Sequence, residues 1–219
     1  GRRGCSIQGA GPSSATAGRA HKAASISILN FILRNQASVR RGGNLLNPCE
    51  ASWMLYDFSQ LSGRNAYKLI VSTIVPRPIA WIVSQDALGN LNAAPFSFFN
   101  AMGGDPPILV VGIGSREEGG PKDSLRNIQE TGQFVINLVN EEMARSMNVT
   151  ATPFAYGVDE LTQAGLLSQP SLKIKPPRIA SSPVSFECEL VQTVPASDTN
   201  TIVIARALAC YIDDRYLLD

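Results

Sequence analysis

Three stretches combine residue types that suit a flat ligand with an anionic tail. In Val75-Pro76-Arg77-Pro78-Ile79-Ala80-Trp81, two prolines flank an arginine. Proline fixes its own φ and restricts the residue before it, so Arg77 is nearly preset before binding. A preset guanidinium suits a phosphate, which it grips through two parallel hydrogen bonds. In Asn92-Ala93-Ala94-Pro95-Phe96-Ser97-Phe98-Phe99-Asn100, small residues admit a ligand close to the backbone. Ser97 adds a hydroxyl there, and the aromatic rings add flat apolar surface. In Lys122-Asp123-Ser124, an ammonium and a hydroxyl stand where a helix is expected to begin. Free N–H groups and the positive end of the helix dipole make such a position an anion site. Each stretch also has a plain reading: a surface arginine at a strand entrance, a core strand of period two, and an ordinary capped helix.

The elements that must position these residues are mostly short strands. Residues 65–72 read as a short helix, and residues 79–83 as a buried strand. The turn Asp86-Ala87-Leu88-Gly89-Asn90 leads into a second strand over 91–99, pairing with the first as a hairpin. A strand over 108–113 follows Pro106-Pro107. A helix over 123–131 is expected, with Asp123 as N-cap and Gly132 just past its end. A strand over 133–139 and a helix over 140–147 come next, with Glu141 and Glu142 in the helix's first turn. Residues 168–182 are a proline-rich connection, and 184–193 and 201–212 read as long strands. The fold class is therefore mainly β with short helices, a barrel with helical inserts.

Composition limits the chemistry. The chain has 219 residues, 44% of them hydrophobic, enough for one sizeable domain. No uninterrupted apolar run reaches the ~18 residues of a membrane helix. All 18 acidic residues lie at or beyond Glu50, whereas seven of the 19 Lys and Arg residues precede it. Residues 50–219 thus carry a balance of −6, which argues against nucleic acid or an anionic membrane as partner. His21 is the only histidine. A Ser-His-Asp or Cys-His arrangement in the body is excluded, and no metal site is expected. No side chain is assigned as catalytic, so a bound cofactor becomes the natural carrier of any chemistry.

Several other motifs are set aside. Gly112-Ile113-Gly114 is followed by Glu117 where the dinucleotide fingerprint wants Gly or Ala, and no helix follows at once. Asn148-Val149-Thr150 matches the glycosylation pattern by chance. Glu187 and Glu189 share one face of a strand and read as an exposed pair, and Cys188 between them as a small buried apolar residue. Cys5, Cys49, Cys188 and Cys210 form neither a C-x-x-C pair nor a disulfide scaffold.

Residues 1–53 form a basic leader, expected to be disordered and either transit-like or non-native. A short apolar helix is conceivable over 24–33. The body is expected over 54–219, shortened at its C-terminus. Location is expected to be cytoplasmic, or mitochondrial if the leader is a genuine transit peptide.

Taken together, the body resembles the flavin reductase-like, FMN-binding split-barrel family, in its flavoprotein oxygenase or flavoredoxin-like branch. The resemblance rests on the 75–81 and 92–100 stretches, Pro106-Pro107, residues 122–128 with 132–137, and Ser182-Pro-Val-Ser-Phe-Glu-Cys188. It implies a six-stranded Greek-key split barrel, a homodimer, and non-covalent FMN. It implies that Arg77, Pro78, Ile79, Ala80 and Trp81 line the flavin and that Ala94, Pro95, Phe96 and Ser97 wrap the ribityl chain and ring edge. Lys122 and Ser124 would then hold the phosphate. The activity implied is oxidoreduction, with NAD(P)H as donor and a flavin, a protein or oxygen as acceptor. A flavoredoxin-type electron carrier and an FMN-less binding module are the alternatives.

Overall fold

The computed structural model describes residues 40–42 and 53–217. The rest of the leader, including the expected 24–33 helix, lies outside them. The chain divides after Pro76 into two compact units. In the first, β1 (Arg40–Gly42) pairs antiparallel with β2 (Trp53–Leu55). Helix α1 (Gly63–Thr73) contains the expected 65–72 segment and is capped by Ser62, whose hydroxyl accepts the Asn65 N–H.

The second unit is built on β3 (Ala80–Gln85), β4 (Leu91–Phe96), β5 (Phe99–Gly104), β6 (Pro107–Gly114), β7 (Gln133–Asn137), β10 (Val184–Ser197) and β11 (Asn200–Ile212). The short strands β8 (Ser168–Gln169) and β9 (Arg178–Ile179) form a separate pair within the proline-rich connection. The main sheet is antiparallel throughout, in the order β4-β3-β7-β10-β11-β6-β5. β4 and β5 stand at opposite ends of that order, yet only Ser97 and Phe98 separate them in the chain. A link that short spans roughly 10 Å at most. The sheet must therefore curl until its two edges meet, which makes it a barrel. Counting β4 and β5 as one bent strand leaves six strands, and the β6-to-β7 crossover past β10 and β11 makes a Greek key.

This closure explains one difference from expectation. The strand expected over 91–99 breaks after Phe96, because the chain leaves one sheet edge there and joins the other. At the crossing, the Gly112 N–H donates to the Phe98 carbonyl at 2.8 Å. A Cβ on Gly112 would stand 3.2 Å from the Phe98 Cβ, so the missing side chain permits the approach. Gly112 and Gly114 are thus strand residues of β6, in keeping with the rejected dinucleotide motif.

Side chains alternate across the barrel wall as period two demands. Ala80 and Ile82, Phe134 and Ile136, Leu109, Val111 and Ile113, Cys188, and Val203 and Ala205 form the barrel core. Leu125 and Ile128 join them from α2 (Asp123–Thr131), which Gly132 terminates at φ 70°. The opposite faces of β3, β4 and β7 supply Trp81, Val83, Ala93 and Val135 to a second core. That core also takes Met143, Leu161, Ile174 and Ile179. Asn137 stitches this layer: its amide N–H donates to the Trp81 carbonyl at 3.0 Å. Its oxygen accepts from the Ile179 N–H and the Ser185 hydroxyl.

Two smaller elements depart from expectation. α3 spans Ala144–Thr150 rather than 140–147, because Asn140 caps a preceding turn by accepting the Met143 N–H. α4 (Glu160–Gln163) was not anticipated; Asp159 caps it by accepting from the N–H groups of Leu161 and Thr162.

Candidate functional site

The β3–β4 hairpin brings two of the three stretches side by side. Ala80 pairs with Phe96, Trp81 with Pro95, and Ile82 with Ala94. The Arg77–Trp81 approach and the Ala94–Ser97 exit therefore share one end of the hairpin. Pro95 is tolerated because β4 is an edge strand, where a missing N–H breaks no ladder bond. The third stretch arrives through α2. The Lys122 ammonium lies 5.7 Å from the centre of the Phe96 ring, within cation–π range. The third stretch thus reaches Phe96 through the Lys122 ammonium.

Their side chains are not equally available. Lys122 and Pro78 are exposed, and Arg77, Ile79, Ala94, Pro95 and Ser97 are half-buried. Ala80 and Trp81 are fully buried. Trp81 turns into the second core, where its indole N–H donates to the Thr150 hydroxyl at 2.9 Å. Its side chain anchors the strand that carries the site. Changing Thr150 to Val keeps the shape and removes the acceptor. The expected cost is about 1–3 kcal/mol, read as a lower urea midpoint.

At the start of α2, Lys122 rather than Asp123 occupies the N-cap position, and no side chain caps the helix. Asp123 is the first helical residue instead, and its carboxylate pairs with Arg116 and Arg126. The expected Asp123 cap is therefore corrected: two guanidiniums draw the carboxylate off the helix end. The first-turn N–H groups of α2 are left without a side-chain cap.

Ser124 is 1% exposed. Its hydroxyl lies 2.8 Å from the Asn92 side-chain amide. Beside that amide stand the Ala93 N–H at 3.2 Å and the Glu160 carboxylate at 3.3 Å. A carboxylate only accepts and an N–H only donates, so Asn92 turns its NH2 to Glu160 and its oxygen to Ala93 and Ser124. The Ser124 hydroxyl proton is then committed to Asn92. Glu160 also accepts the Ala93 N–H at 2.9 Å. It is 7% exposed, and burial is the main cause that raises its carboxyl pKa; Asp123 and Asp159 add to the rise. Sequence reading missed Glu160 and Asn92, because their partners are remote in the chain.

The carboxyl pair on β10 also needs correction. Glu187 is fully buried, whereas Glu189 lies half-buried against Arg206. The Glu187 carboxylate accepts from the Leu172 N–H at 2.6 Å, the Lys173 N–H at 2.7 Å and the Tyr211 hydroxyl at 2.7 Å. Burial pushes its pKa up, but these donors outweigh burial and hold it below the usual value. Cys188 is buried as expected, and burial pushes its thiol up to about 12.

Among the described residues there is no cluster of His, Cys, Asp or Glu that could hold a metal. Among them, too, no helix is long and apolar enough to cross a membrane.

Comparison with known proteins places the chain in a family. The model of the flavin reductase like domain matches residues 71–218. A protein of Aquifex aeolicus (strain VF5) is 37% identical over 164 residues, covering 75% of this chain and 83% of its own length. The crystal structure of the Pseudomonas fluorescens 2-nitrobenzoate 2-nitroreductase NbaA superposes with a TM-score of 0.68 at 34% identity. The match covers 74% of this chain and 78% of that one. A split-barrel-domain protein of Shewanella frigidimarina superposes with a TM-score of 0.64 at 24% identity, over 73% and 79% of the two chains, and shows the same fold. With a family model over most of its length and a closed Greek-key sheet, the chain belongs to the flavin reductase-like domain family and has its split-barrel fold.

Proposed function

We propose that the chain binds FMN at the end of the β3–β4 hairpin and acts as an oxidoreductase with NAD(P)H as electron donor. The observation that carries this reading is the donor set around Phe96. The Lys122 ammonium meets an aromatic wall at Phe96, the proline-flanked guanidinium precedes β3 of the same hairpin, and the N-terminus of the nine-residue α2 packs on β4 at Asn92. That chemistry fits a nucleotide phosphate joined to a planar ring. Bound FMN supplies the capacity to take up a hydride and release electrons.

The chain's own residues bind and orient. Lys122 and the first-turn N–H groups of α2 receive the phosphate, with Arg77 as second cation. Ala94 and Pro95 let the ligand lie close to the backbone, and Phe96 shields it from water. No strong side-chain base is required, because hydride transfer depends on alignment and exclusion of water. This agrees with a body that has no histidine.

The Ser124 hydroxyl does not face the phosphate in the arrangement described above; its N–H remains a donor. A homodimer, with the partner a second copy of this chain, is part of the same proposal. It is supported by β5, whose Met102 is 65% exposed. The electron acceptor falls within the classes of free flavin, protein or oxygen.

The test is anaerobic. The FMN-loaded chain should lose its visible flavin absorbance within seconds of adding NADH or NADPH. Retained FMN with no bleaching by either nucleotide would overturn the enzymatic reading in favour of a flavoredoxin-type carrier.

A further inference from the structure

The path Glu160–Asn92–Ser124 links a buried carboxylate to the first turn of α2, and each hydrogen atom on it has a determined direction. While Glu160 is ionised it can only accept, so Asn92 gives it the NH2 and turns its oxygen to Ser124. A hydroxyl has one proton, and Ser124 spends it on Asn92 at 2.8 Å. When Glu160 takes a proton from solvent, its O–H becomes a donor toward Asn92. The amide then satisfies both neighbours by turning over. Its oxygen accepts from Glu160, and its NH2 donates to the Ser124 oxygen. The Ala93 N–H keeps its other acceptor on Glu160, at 2.9 Å. The Ser124 proton is released.

We propose that Glu160 is a positioning residue that decides, through Asn92, whether the Ser124 hydroxyl can donate to an anion at the N-terminus of α2. The inference rests on the FMN reading of that site. It reconciles the family-like serine after Lys122-Asp123 with a hydroxyl that the structure turns inward. Affinity for the phosphate should accordingly rise as Glu160 protonates.

The groups around Glu160 favour this. Burial raises its pKa, as do Asp159 on its own helix and Asp123 on α2, the latter partly offset by Arg116 and Arg126. β4 carries no titratable side chain, and the only charge on α3, Arg145, is exposed.

Glu160→Gln mimics the protonated state, since its NH2 donates to Asn92 at any pH. FMN dissociation constants are measured by flavin fluorescence between about pH 5 and about pH 8 for wild type, Glu160→Gln, Ser124→Ala and the double variant. The FMN phosphate itself titrates near ~6, and the ratio of wild type to Glu160→Gln cancels that contribution. The ratio should move toward one on acidification, as Glu160 takes up its proton, and rise to about tenfold tighter binding by Glu160→Gln at the alkaline end. In the Ser124→Ala background the ratio should stay near one throughout.

A ratio independent of pH, or weaker binding by Glu160→Gln, overturns the proposal. So does a ratio that persists without the Ser124 hydroxyl, since bare charge removal would then explain it. No FMN binding by any variant overturns the site reading itself, and this proposal with it.

Discussion

The double variant Arg77→Ala, Lys122→Ala is expected to lose FMN by a factor of about a hundred or more. FMN phosphate carries close to two negative charges near neutral pH, and the two side chains supply two positive ones. A charge-assisted hydrogen bond contributes about 1.5–3 kcal/mol, and each ~1.4 kcal/mol is tenfold in affinity. Each single variant should therefore weaken binding about tenfold or more. Lys122 is exposed at a helix end and Arg77 precedes β3, so the barrel core should be unaffected. Unfolding free energies from urea titration within ~0.5 kcal/mol of wild type would verify that. Unchanged flavin content in the folded double variant would mean that the phosphate sits elsewhere.

The second large effect concerns stability. Glu187→Ala is expected to destabilise the second unit by about 3 kcal/mol. It strands the N–H groups of Leu172 and Lys173 and the Tyr211 hydroxyl, and leaves a cavity where a fully buried side chain stood. Water can reach the loop N–H groups, which keeps the cost below the sum of three charge-assisted bonds. The effect should depend on pH. Because the folded-state pKa is lowered, the carboxylate's contribution is present above the ordinary Glu pKa of ~4.3 and is lost as pH falls through the folded value. Urea midpoints of wild type should therefore fall on acidification more steeply than those of the variant. The Tyr211 phenol should titrate above its usual value in wild type, first because of its hydrogen bond to Glu187, and move back in the variant.

The same residue marks a limit of sequence reading. Alternation correctly puts Glu187 and Glu189 on one face of β10. It says nothing about the loop at 172–173, which folds back from the preceding proline-rich connection to cover only Glu187. Strand β10 was legible because apolar and polar residues alternate along it, and β6 because a short apolar run follows Pro106-Pro107. β5 was not, because Asn100, Gly103 and Gly104 carry no such pattern and the strand owes its place to closure of the barrel. Around the site, the proline-flanked Arg77 and the helix start at Lys122 were legible because local chemistry defines them. The fates of Trp81 and Ser124 depend on partners 69 and 32 residues away. Those contacts arise from packing α3 and α2 on the sheet.

The central claim is that this hairpin end selects a flavin by its phosphate. The most direct measurement compares the affinities of the purified chain for FMN and for riboflavin by fluorescence titration. Two charge-assisted contacts predict that FMN binds about a hundredfold or more tighter than riboflavin. Equal affinity for the two, or no affinity for either, would contradict the account.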